Sequence, residues 1–148
     1  YIMWCKYTKK EYFWKRIMMK PEPEKYQASK LQKAEAEKVV KKLCRYVEQQ
    51  KPYLNSELTM TDLAKALGVS NHTLSQIFTQ HMHRNYYDFI AEYRVAEFKR
   101  LVTLPEYSKF NIMAIAEKCG FKSRTSFFTA FKNHTGCTPK EYMEKKAL

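Results

Sequence analysis

Apolar residues recur along this chain at helical spacing, in runs that stop at glycine or proline. The clearest run is Ile112, Ile115, Ala116 and Cys119, which ends at Gly120, a residue free to turn the backbone out of a helix. Ser123 then offers an N-cap for a second helix. Its Phe127, Ala130 and Phe131 share one face, leaving Arg124, Thr125, Ser126 and Thr129 to point outward. Two short helices joined by a tight glycine turn predict a helix-turn-helix, in which the second helix enters a DNA major groove.

The same unit occurs earlier in the chain. Met60, Leu63, Ala64, Leu67, Gly68 and Val69 precede Ile112, Ile115, Ala116, Cys119, Gly120 and Phe121 by 52 positions, a register read directly from the sequence. Beyond the turn the offset is 53, pairing Leu74, Phe78, His81 and Phe89 with Phe127, Phe131, His134 and Tyr142. A two-helix unit is therefore repeated, and the second copy has one extra turn residue.

The remaining pattern supplies the connecting helices. Ser29 to Gln50 reads as one long helix whose stripe is Leu31, Ala34, Val39, Leu43, Tyr46 and Val47, and Lys51-Pro52 ends it. Thr59 and Asp62 are spaced as a capping box for a helix over about Met60 to Leu67. A recognition helix from Ser70 to about His81 would bury Leu74, Ile77 and Phe78. From Tyr86 to about Leu104 another long helix shows Phe89, Ile90, Tyr93, Ala96, Leu101 and Val102 as its apolar face. Pro105 interrupts it, Asn111 caps the next helix, and Thr138 with Pro139 opens the last.

Leu63-Ala64-x-x-Leu67-Gly68-Val69-Ser70 is joined by Ile115-Ala116-x-x-Cys119-Gly120-Phe121. With Phe131-Lys132-x-x-x-Gly136-x-Thr138-Pro139-x-x-Tyr142, these residues resemble the AraC/XylS family of bacterial transcription regulators. The resemblance runs from about Leu58 to Met143. It implies an all-α fold of two helix-turn-helix motifs, each a homeodomain-like three-helix unit, joined by a long connecting helix. The expected domain covers 29–148, with the first motif at about 59–82, the connecting helix at about 86–104 and the second motif at about 111–134. The resemblance also implies that the connecting helix holds the motifs rigidly apart, as successive major grooves on one face of DNA lie about 34 Å apart. Double-stranded promoter DNA is the implied partner, with RNA polymerase as a further one. In this family ligand sensing and dimerisation usually reside in another domain, so no small-molecule ligand is expected here.

The chain departs from the family pattern in places. His83 stands where the first copy usually has glycine, Phe98 replaces a small residue, and Met143 replaces a frequent arginine. Thr129 occupies an often basic position and Phe128 an often small one, so no operator sequence carries over. Arg94 matches a family arginine on the connecting helix and is expected to support structure or pair with a carboxylate.

Base-readout candidates in the first recognition helix are Asn71, His72, Ser75 and Gln76, which face away from the Leu74/Phe78 stripe. Asn71 and Gln76 carry amides that can pair bidentately with adenine. In the second helix they are Arg124, Thr125, Ser126 and Thr129; Arg124 leads, because a guanidinium reads guanine or clamps phosphate. Arg84, Lys122 and Lys132 are phosphate candidates, as are the helix N-termini at Ser70 and Ser123. The bland reading of each is a solvated surface residue.

Charge agrees without deciding the matter. The 148 residues carry a formal net charge of +12, which favours an anionic partner, either nucleic acid or an acidic membrane surface. There are 14 basic against 7 acidic residues up to Met60 and 13 against 8 after it, so the charge is spread and the motif carries the case. A hydrophobic content of 45% in this length suffices for one core or two small ones.

Cys5, Cys44, Cys119 and Cys137 are far apart with no C-x-x-C pair, which argues against zinc and a disulfide framework and suits a reducing cytoplasm. Cys44 and Cys119 read as small core residues. His81-Met82-His83 makes a poor metal site, since residues two apart on a helix point in different directions and no third ligand is suitably spaced. No cofactor is called for. With no glycine-rich phosphate loop or nucleophile-base arrangement, enzymatic activity is not expected.

Residues 1–28 are expected to be an aromatic and basic N-terminal segment, Tyr1 to Arg16, and a linker through Lys20-Pro21-Glu22-Pro23-Glu24, the remnant of an upstream region. The segment suits either the cytoplasmic flank of a membrane span or a fragment of an upstream sensor, so a membrane enters only through a missing upstream region. The sequence thus supports a cytoplasmic DNA-binding regulator. Its rivals are the tail of a membrane-tethered or sensor-fused regulator and a protein-interaction module that has lost DNA readout. RNA binding lacks stacking platforms, because Phe127 and Phe131 are needed in the core.

Overall fold

The computed structural model describes residues 27–146, so all but the last two positions of the expected N-terminal segment and linker lie outside it. Every regular element among the described residues is helical. Helix α1 (Gln27–Gln50) leads through a 3-10 turn (Pro52–Leu54) to α2 (Met60–Leu67) and α3 (Asn71–Gln76), which continues as a π turn (Ile77–His81). The connecting helix α4 (Tyr86–Leu101) follows. A second 3-10 turn (Pro105–Tyr107), α5 (Ile112–Lys118), α6 (Arg124–Thr135) and α7 (Pro139–Lys146) complete the described residues.

The caps form at the residues the sequence marks. Thr59 and Asp62 make a reciprocal capping box on α2, and the hydrogen bonds from Thr59 hold the Asp62 carboxyl below its ordinary range. Ser70, Asn85, Asn111 and Ser123 each accept from the backbone N–H three residues on. Thr138 and Glu141 cap α7 in the same reciprocal way.

Among the described residues there are two hydrophobic cores. The first gathers Leu43 and Val47 of α1, Leu63 and Leu67 of α2, Leu74 and Phe78 of the first recognition helix, and Phe89 and Ile90 of α4. The second gathers Val95, Phe98 and Leu101 of α4 with Ile115, Cys119, Phe121, Phe127 and Phe131. Phe127 sits 4.9 Å from Phe98 and 5.7 Å from Phe131, ring centre to ring centre, and losing either phenyl would cost about 3–5 kcal/mol. Burial pushes the Cys44 and Cys119 thiols up to about 12, which keeps both protonated and inert.

The structure corrects four details. In α1 the buried stripe is Ala36, Val40, Leu43, Cys44 and Val47, whereas Ala34 is exposed and Val39 and Tyr46 are half-buried. Small Ala36 and Cys44 face the core, so a stripe drawn through the larger side chains is rotated by about one position. Helix α4 has no single apolar face: its first half serves one core, and Val95 and Phe98 serve the other while Ala96 is only half-buried. It ends at Leu101, because Pro105 forces Leu104 into extended backbone and Val102 to Leu104 unwind before it.

The fourth detail concerns the first recognition helix, which widens after Gln76. Met82 N–H reaches back five residues to the Ile77 carbonyl at 2.9 Å, and Arg84 N–H to that of Phe78 at 3.0 Å. Thr79 supplies a competing donor, its hydroxyl bonding the Ser75 carbonyl at 3.0 Å. His83 follows with φ of 51°, the left-handed conformation that Gly136 takes at the matching place in the second copy with φ of 79°.

Candidate nucleic-acid interface

Buried apolar anchors aim each recognition helix. Leu74, Ile77 and Phe78 bury one side of the first, and Phe127 and Phe131 bury one side of the second. What remains outside is polar. Asn71, His72, Gln76, Arg124, Thr125, Ser126 and Thr129 are all exposed, and Ser75 is half-buried at the edge of the core.

Their hydrogen bonds divide them. Asn71 donates its amide to the Thr61 hydroxyl at 2.9 Å, tying the start of the first recognition helix to α2. Ser126 donates to the Ser123 carbonyl at 3.0 Å and receives the Ser123 hydroxyl at 3.0 Å, so it belongs to the cap. Ser70 is engaged likewise with Thr73 at 2.8 Å.

The Arg124 guanidinium lies 5.0 Å from the ring centre of Phe128, one turn along the same helix. Phe128 is half-buried and meets Phe127 edge-on at 5.6 Å. A core-anchored ring thus supports the cation. The i, i+4 spacing of Arg124 and Phe128 is visible in the sequence, where Phe128 otherwise stands out only as a departure from a small residue.

Among the phosphate candidates, Lys122, Ser123 and Lys132 are exposed on or beside the second recognition helix. Lys122 also pairs with Glu57 at 2.7 Å across the two motifs. Arg84 differs from the expectation. Its guanidinium is drawn onto Asp88 at 2.9 Å and Glu92 at 2.5 Å and lies 5.8 Å from the Phe89 ring centre. The charge of this arginine, only 19% exposed, is taken up by two carboxylates within the protein.

Arg94, expected to support structure or meet a carboxylate, does the first, through backbone. It donates to the Tyr53 carbonyl at 2.8 Å and the Asn55 carbonyl at 3.0 Å. The carboxylate that is buried on α4 is Glu97, 7% exposed, held by Arg100 at 2.6 Å and by Lys51 at 3.8 Å. The hydrogen bond from Arg100 holds the Glu97 carboxyl below its ordinary range. Glu97 escaped the sequence reading because a glutamate among the mixed charges of this helix looks like surface. No His/Cys/Asp/Glu group that could hold a metal ion occurs among the described residues.

A helix-turn-helix domain family model matches residues 63–145, which run from within α2 through the connecting helix and the second motif into α7. The chain belongs to the AraC-type helix-turn-helix family. An uncharacterised HTH-type transcriptional regulator of Staphylococcus aureus (strain COL) is 31% identical over 103 residues, covering 70% of this chain and 13% of that protein. The Msm operon regulatory protein of Streptococcus mutans is 31% identical over 104 residues, 68% of this chain and 36% of the relative. The AraC-type chain therefore spans well under half of either relative. Among solved structures, the C-terminal domain of AraT, a response regulator from Geobacillus stearothermophilus, superposes with a TM-score of 0.60 at 28% identity, covering 72% of this chain and 84% of that one. The C-terminal domain of the two-component response regulator yesN from Fusobacterium nucleatum gives 0.57 at 27% identity, covering 71% and 97%.

Proposed function

We propose that this chain is the DNA-binding unit of a bacterial transcription regulator, and that its two recognition helices read adjacent major grooves of one promoter site. The carrying observation is the pair of exposed polar rims, each backed by buried aromatic anchors, on two motifs bound into one unit by Arg94 and the Lys122–Glu57 pair. In this reading His72, Gln76, Arg124, Thr125 and Thr129 meet base edges and Lys132 meets phosphate, while Lys122 reaches phosphate only on leaving Glu57. Asn71 and Ser126 hold backbone geometry and approach DNA only after yielding their present partners. The chain works in the cytoplasm, where promoter DNA is, and RNA polymerase is its second partner.

Binding is by side chains and helix ends alone, without chemistry on the DNA. Fluorescence anisotropy with selected and random duplexes tests it. Site-specific binding should exceed random binding by about a thousandfold or more and fall steeply as salt rises. Equal weak binding to every duplex would instead favour a protein-interaction role.

A further inference from the structure

The turn before the first motif and the turn of the second meet at an arginine of the connecting helix. Arg94 lies where α4 passes from one core to the other, between Tyr93 on the first and Val95 on the second. Its guanidinium holds the Tyr53 and Asn55 carbonyls of the turn before the first motif at 2.8 and 3.0 Å. The same group lies 5.9 Å from the ring centre of Phe121, in the turn of the second motif.

Gly120 completes the contact. With φ of 99°, it lets its backbone press against that first turn: a Cβ here would run into the Tyr53 carbonyl oxygen and come within 2.8 Å of Arg94 Nε. On the exposed flank Lys122 pairs with Glu57. Tyr53, itself buried in the first core, is thus bound through one arginine to the turn that aims the second recognition helix.

We propose that Arg94 is a spacing-determining residue: it locks the two motifs into one rigid reader, so that the chain accepts a single separation and helical phase between two half-sites of a DNA duplex. This rests on the proposed function. One inserted base pair moves a half-site about 3.4 Å along the axis and turns it by about a tenth of a revolution. A hinged pair of motifs absorbs that change; a clamped pair loses one half-site.

The test uses the bipartite site selected by the chain from a random duplex pool, with the central spacer lengthened or shortened by one base pair. Wild-type affinity should fall about tenfold or more for either spacer variant. In Arg94→Met, which keeps the apolar stem and removes both donations, the spacer penalty should shrink to about threefold or less, while each half-site keeps its own base preferences; Arg94→Lys should fall between. An unchanged penalty in a folded Arg94→Met, or wild-type indifference to spacer length, overturns the proposal.

A second measurement needs no variant. Residual dipolar couplings of the wild-type chain should fit one alignment tensor across residues 60–82 and 111–135, and two independent tensors would overturn the clamp. Failure to select any bipartite site would instead bring down the proposed function, with the spacing role along with it.

Discussion

The His134 imidazole, near the end of the second recognition helix, lies 3.2 Å from the carboxylate of Asp88 in the first turn of the connecting helix. Asp88 also takes Arg84 at 2.9 Å, and its N–H donates to Asn85 at 2.7 Å. One carboxylate therefore ties the end of the first motif, the start of the connecting helix and the end of α6 together. The pin lies six residues before Arg94 on the same helix and adds to the contacts of the Arg94 clamp in orienting the second motif.

Asp88→Asn removes the Arg84 ion pair and the carboxylate that faces His134 while sparing the Asn85 cap. Because the carboxylate is 45% exposed, the loss should be about 1 kcal/mol, seen as a lower urea midpoint with unchanged slope, and should shrink as salt rises. An unchanged midpoint would show that neither pair holds the motifs together.

Gly68 and Gly120 occupy matching turns but should respond differently to alanine. Both have positive φ, yet nothing lies within 4 Å of a Cβ at Gly68, so Gly68→Ala should cost only its backbone strain, about 1 kcal/mol. Gly120→Ala adds the collision with Tyr53 and should cost about 3 kcal/mol or more. Chemical denaturation of the two variants settles it; equal costs would mean that the Tyr53 turn gives way freely.

His83 is the converse case, a side chain in a conformation suited to glycine. Relief of the strain outweighs the added freedom of the unfolded chain, so His83→Gly should stabilise by about 0.5–1 kcal/mol. A loss of stability on calorimetry would reveal a use for the imidazole beyond this turn.

Glu97 gives the chain an acid-sensitive joint. Its folded carboxyl is held below the ordinary value of 4.5, so its contribution is complete above that value and fades as pH falls through the lower folded one. Glu97→Gln should be less stable at pH 7 by about 1–3 kcal/mol, and its gap to wild type should narrow below about pH 4.5. A gap independent of pH would assign the loss to packing.

The fold was legible because its signals are local. Caps such as Thr59 and Asn111, turn glycines 68 and 120, and the Phe127/Phe131 face each act within a few residues, and the repeat states them twice. What escaped was set by distant partners. Glu97 has Lys51, 46 positions away by number, as a second partner besides Arg100, and α4 changes its buried side where one core gives way to the other. Arg84 looked like a free cation because Glu92 reaches it only once α4 has formed two turns beyond it.

For the site, sequence named the exposed rims but not their engagements. Ser126 lies in the first turn after its cap and Asn71 opposite Thr61, so side chains that face solvent by periodicity are already bonded. Phe128 shows the reverse, an oddity that sits under Arg124.

The central claim, two motifs reading one duplex together, is tested most directly by selecting sites with wild type, Gln76→Ala and Arg124→Ala in parallel. Wild type should enrich two clusters of preferred bases about 10 base pairs apart, with Gln76→Ala flattening positions in one cluster and Arg124→Ala positions in the other, each losing about 1–3 kcal/mol of discrimination. A single cluster, or two clusters that both variants leave intact, would contradict it.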